Sequence, residues 1–113
     1  MKVEPSGTCS VDAALDVIRG RWKPAVMWHL RSGTRRYGEL RRLIPGISER
    51  MLVRQLRQCE RDGIVARRVY PEVPPKVEYT LTERGRSLVA ILQQLASWAE
   101  RDVSPHVSSR TRR

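Results

Sequence analysis

The stretch SERMLVRQLRQCERD, residues 48–62, decides how this chain is to be read. Arg50, Arg54, Arg57 and Arg61 recur at i, i+4, i+7 and i+11, a spacing that stacks them on one face of a helix with about 3.6 residues per turn. Leu52, Leu56 and Cys59 repeat with the same period about 200° away, on the opposite face. One side of the predicted helix is apolar enough to be buried, and the other is a row of guanidiniums. The planar fork of Arg matches both phosphate and the guanine edge, so the row suits a helix laid in a DNA groove. Charge runs on helices are most often solvated faces, held by acidic partners one turn away. Here Glu49, Glu60 and Asp62 stand at the helix ends, and the middle of the stripe lacks such partners. The face reads as a DNA-binding surface.

The charge balance agrees with that location. The chain carries 22 Lys+Arg against 12 Asp+Glu, a formal net charge of +10. Residues 19–68 hold 14 basic and 4 acidic side chains, and the flanks hold 8 of each, so the whole excess lies in the middle segment. A dedicated polyanion-binding surface has that distribution; a uniformly basic tail protein does not. The 113 residues imply one domain, 1–113. Residues 1–8 read as a flexible arm, and 104–113, ending SSRTRR, as a disordered basic tail. No apolar run suits a membrane span and no signal-peptide core is present, so a soluble, cytoplasmic protein is expected. Cys9 and Cys59 make neither a disulfide framework nor a ligand cluster. His29 and His106 stand isolated, with no triad spacing and no Gly-rich phosphate loop. No enzyme chemistry, cofactor or metal is expected.

Outward from the central stretch, the pattern is that of a mainly α (α+β) chain. Val11, Ala14, Leu15 and Ile18 form a helical stripe ended by Gly20. Lys23-Pro24 opens a second helix, with Pro at its first position and Gly33 closing it. Residues 34–36 form a short extended link; Tyr37, Leu40, Leu43 and Ile44 give a short helix broken by Pro45-Gly46. Ser48 is a good N-cap for the arginine-striped helix, and Gly63 ends it. Residues 65–70 and 77–81 have a period of two and flank the loop PEVPPK, which predicts a β-hairpin. Thr82 caps a last helix whose Leu88, Ile91, Leu92, Leu95, Trp98 and Ala99 repeat at three and four. That order predicts a winged helix-turn-helix with a two-stranded β-wing and an extra helix at each end. The last stripe outlasts the apolar surface that so small a domain can offer back, so the terminal helices are read as dimerisation helices.

Several linked pieces resemble the HxlR-type winged-helix transcriptional regulators, relatives of the MarR-like repressors. They are IRGRW at 18–22, RRYGEL at 35–40, GISERML at 46–52, RQLRQCERDGIV at 54–65, PPKVEYTLTERG at 74–85, and Trp98. The resemblance implies a homodimer on double-stranded operator DNA, often a repressor, sometimes sensing oxidants or electrophiles through an N-terminal cysteine. Cys9 stands at that position as a regulatory thiol, and a small-molecule or oxidant effector is implied with it. This chain departs from the family in having Tyr37 for a common Phe, Cys59 for an apolar residue, and Cys9-Ser10 for Cys-Pro.

The residues weigh as follows. The N-terminal turns of a recognition helix lie nearest the bases, which makes Ser48, Glu49, Arg50, Met51, Arg54 and Gln55 candidate readers. Arg57 and Arg61 lie further along and suit phosphate; Lys23, Arg35 and Arg36, near helix starts, are further phosphate candidates. Arg67 and Lys76 belong to the wing, although Arg67 or Arg68 can instead pair with Glu78 across the hairpin. Leu40, Leu43, Leu52, Leu56, Val65, Val77, Tyr79 and Leu81 are core, and Cys59 reads as a small buried hydrophobe. A sequence-specific, dimeric regulator is the favoured expectation. An architectural nucleic-acid binder on the same basic face, or a winged-helix protein-interaction module, are its rivals.

Overall fold

Ser48 starts the central helix: extended at φ −77°, its hydroxyl accepts the Met51 backbone N–H at 3.1 Å. That N-cap satisfies one of the free amides at a helix start. The computed structural model describes residues 9–103, so the expected arm, the expected tail and His106 lie outside the described residues. In chain order the elements are α1 (Ser10–Val17), α2 (Lys23–His29), β1 (Arg35–Arg36), α3 (Tyr37–Leu43), α4 (Glu49–Arg61), β2 (Val65–Tyr70), β3 (Lys76–Leu81) and α5 (Glu83–Asp102).

α3 and α4 form the helix-turn-helix, and β2 and β3 the wing. The wing hairpin runs in register from Val65 opposite Leu81 to Tyr70 opposite Lys76. The short link before α3 joins it as a third strand: β1 pairs with β3, Arg35 opposite Tyr79 and Arg36 opposite Glu78, giving the order β1-β3-β2. α2 is shorter than its sequence limits suggest. It opens at Lys23, which makes Pro24 its second residue, and it ends at His29, with a turn between it and Gly33.

The core gathers Val26 and Met27 of α2, Leu30 just after it, Leu40 of α3, Leu52, Leu56 and Cys59 of α4, and Val65, Tyr79 and Leu81 of the sheet. Leu43 and Val77 are half-buried. Two devices join α4 to α5. Gly63, at φ +75°, turns the chain out of α4, and the Thr82 hydroxyl donates to its carbonyl at 2.6 Å while accepting from the Gly85 N–H. At Gly85 the α5 backbone lies directly on the Ile64 carbonyl, where any Cβ would clash. α5 buries only Gly85 and Val89, and α1 buries nothing. Val11 and Leu15 of α1 and Ile91, Leu95 and Trp98 of α5 stay about half exposed, between 49% and 58%.

Candidate nucleic-acid interface

α4 presents the predicted stripe intact. Leu52, Leu56 and Cys59 are buried, and Arg50, Arg54, Arg57 and Arg61 are exposed. Among the described residues no ion pair or hydrogen bond occupies any of the four guanidiniums. An open groove of about 590 Å³ runs along this face, lined by Glu49, Arg50, Val53, Arg54, Arg57, Gln58 and Arg61. Val53 and Gln58 were not singled out in the sequence, although their positions beside the stripe follow from the helical period. Met51 and Gln55 sit on the flank of α4, half-buried, with the Gln55 amide 3.4 Å from the Met51 sulfur.

The N-terminal end of α4 is held from α3. The Tyr37 hydroxyl donates to the Glu49 carbonyl at 3.2 Å, and the Glu39 carboxylate accepts the Arg36 N–H at 2.7 Å. Burial raises the Tyr37 pKa, with the Glu49 carboxylate adding to it and Arg41 opposing. The phenol therefore keeps its proton and remains a donor. Its role could not be read from periodicity, because a ring at position 37 looks like core; only the hydroxyl marks the difference.

The peripheral basic residues divide. Arg36 is exposed beside the α3 start, but half-buried Arg35 spends its guanidinium on the His29 carbonyl at 3.1 Å and on the Ser32 hydroxyl at 3.4 Å. Lys23 corrects the sequence expectation of a phosphate contact. It is 8% exposed, and its ammonium pairs with Asp62 at 3.3 Å, tying the start of α2 to the end of α4. Arg67 reaches Glu60 of α4 at 3.6 Å rather than Glu78. Neighbouring side chains on a strand alternate between faces, so Arg67 lies on the α4 side while Arg68 shares the Glu78 face. There Arg68 and Lys76 both lie over the Tyr70 ring, and Glu78 is taken by the Tyr70 hydroxyl at 2.9 Å and Lys76 at 3.6 Å. Lys76 is thus drawn back along the hairpin rather than held out at its tip.

The thiols differ as well. Cys59 is buried in the core, and burial pushes its pKa from 9.0 up to about 11, opposed by Lys23 and reinforced by Asp62 and Glu60. Cys9 occupies the N-cap position of α1, half-buried, with its S–H directed to the Asp12 carboxylate at 3.6 Å. Among the described residues no group of three His, Cys, Asp or Glu could hold a metal ion, and no helix is long and apolar enough to cross a membrane.

This winged helix-turn-helix has counterparts among known proteins. The model of the HxlR-like helix-turn-helix family matches residues 17–107. The chain belongs to the HxlR-like helix-turn-helix family. Its relatives include the "Uncharacterized HTH-type transcriptional regulator YybR" of Bacillus subtilis (strain 168), 53% identical over 97 residues, which span 84% of this chain and 78% of that protein. Among solved structures, the redox regulator HypR in its oxidised form is 51% identical at a TM-score of 0.76, over 83% of this chain and 97% of that one. A structure assigned to the MarR family, from Porphyromonas gingivalis W83, is 34% identical at a TM-score of 0.80, over 90% and 99%. The fold is the winged helix-turn-helix of these regulators. As an HxlR-like protein the chain is a DNA-binding transcriptional regulator, and the family is not one of enzymes.

Proposed function

We propose that this HxlR-like regulator binds operator DNA in a sequence-specific manner as a homodimer and acts as a repressor, and that Cys9 is its regulatory thiol. The single observation that carries the DNA reading is the α4 face, where four exposed guanidiniums have no hydrogen-bond or ion-pair partner among the described residues. Arg50 and Arg54, in the first turns, face the bases together with Ser48, Glu49, Met51 and Gln55. Arg57 and Arg61 hold phosphate, with Arg36 at the neighbouring helix start. Arg35, Arg67 and Lys76 are supporting contacts, since each is already engaged within the fold.

The apolar faces left open on α1 and α5 support the dimer: five large side chains from two helices are about half exposed, and a two-fold copy would bury them. Cys9 sits where that surface begins, so a substituent on its sulfur alters the packing of α1. The solved relative named a redox regulator is consistent with thiol control. Selection from a random duplex pool tests the reading. A sequence-specific dimer enriches a near-palindrome with half-site centres about 34–36 Å apart or a multiple of it. An architectural binder enriches no motif and yields to unrelated duplex mole for mole.

A further inference from the structure

Val53 is the one apolar side chain among those lining the groove along the arginine face of α4. It stands three residues after Arg50 and four before Arg57, so the helix sets it between them on the same side. It is half-buried, yet it belongs neither to the core cluster nor to the partly buried apolar side chains packed against that cluster, among which α4 contributes Met51. A second open groove, of about 630 Å³, lies between α4 and the wing strands, and Val53 lines this one too, beside Arg57 and Arg67. A small apolar wall thus stands among the guanidiniums of the basic face. Valine is a poorer helix former than alanine, leucine or arginine, and in a helix its first torsion is held to one rotamer. The position therefore gives up some helix propensity and presents two methyl groups in a fixed direction.

We propose, resting on the DNA reading of α4 above, that Val53 determines specificity by contact with the C5 methyl group of a thymine in the operator half-site. In the major groove every base pair shows hydrogen-bond donors and acceptors, and thymine alone adds an apolar group to its edge. Val53 has no side-chain atom that can answer a donor or an acceptor. Cytosine, adenine or guanine at that place gives up water from a polar edge without gaining a partner. Thymine instead buries methyl against methyl. Such a contact acts only at short range, and Arg50 and Arg57, one turn to either side, hold the helix against the duplex.

The test uses the full chain and the duplex selected from a random pool, with each thymine of one half-site replaced singly by deoxyuridine, which removes the methyl alone. At one position wild type should bind the uracil duplex about fourfold more weakly, the scale of one buried methyl group. Val53→Ala and Val53→Ser should bind the thymine and uracil duplexes equally. Val53 lies outside the core cluster and alanine is the better helix former, so the fold should be kept. The salt slope of both variants should match wild type, since no cation is removed. Where the same thymine is exchanged for cytosine, wild type should prefer 5-methylcytosine to cytosine by about the same factor, and the variants should not distinguish them. A selected half-site without thymine, thymine methyls without effect at every position, or a methyl dependence that persists in both variants overturns the proposal and leaves the DNA reading standing. A pool that enriches no sequence contradicts sequence-specific reading by α4, and the valine contact fails with it.

Discussion

The Tyr37 hydroxyl donates to the Glu49 backbone carbonyl across 3.2 Å, joining the first residue of α3 to the first residue of α4. Glu49 is also the residue that follows the Ser48 cap, so this bond fixes how the reading end of α4 leaves the turn. Tyr37→Phe keeps the ring and removes one hydrogen bond, a stability cost of about 0.5–1.5 kcal/mol. The expected outcome is a small fall in Tm and a reduced preference for the selected duplex, with affinity for unrelated DNA unchanged. Equal losses on both duplexes would assign Tyr37 to general stability alone.

Lys23 gives a prediction of opposite sign to a phosphate contact. Its ammonium is buried against Asp62, which is itself 39% exposed at the side chain and can return to water. Lys23→Met should therefore leave the salt dependence of DNA binding where it was. A phosphate-binding lysine would instead lower the slope of log affinity against log salt by about one unit. A salt titration of the two proteins on one duplex decides between them.

The pieces legible in the sequence were those whose causes are local. The α4 stripe, the Ser48 and Thr82 caps and the period-two hairpin each follow from residues within a few positions, and each is present. Lys23 looks from the sequence like a phosphate contact because its partner lies 39 residues away, and helix-start position alone cannot reveal a buried pair. Arg67 finds Glu60 because β2 turns that side chain toward α4, a relation between elements rather than within the hairpin. The short extended link before α3 is a strand, but two residues carry no period; its pairing partner, the free edge of β3, is visible only in the fold.

The exposed faces of α1 and α5 predict self-association. Leu95→Asp places a charge on a side chain 54% exposed, so the fold should persist, and sedimentation should show a monomer where wild type is a dimer at micromolar concentration. Operator binding should fall sharply, because one half-site then binds alone. A wild-type monomer that binds a selected duplex with full affinity contradicts the dimer.

The two thiols should respond differently. For Cys59 the folded pKa, about 11, lies above its reference value of 9.0, so folding favours the protonated thiol. That contribution is fully present below pH 9.0 and is lost as pH rises toward 11, so Cys59→Ala should show a shallower loss of stability across that window. At neutral pH iodoacetamide should modify Cys9 first and leave Cys59 untouched until the protein unfolds. Alkylated wild type should release its operator while alkylated Cys9→Ser does not. Identical responses would remove Cys9 from regulation.

The central claim is that the free arginine face of α4 reads DNA. Its most direct test is the affinity of wild type, Arg54→Ala and Arg57→Ala for a selected and an unrelated duplex across a salt series. Arg54→Ala should lose about 1–3 kcal/mol on the selected duplex and relax one base position, while keeping its affinity for unrelated DNA. Arg57→Ala should weaken both duplexes alike and lower the salt slope by about one unit. If neither variant changes binding to either duplex, DNA is held by another surface and the account of α4 is wrong.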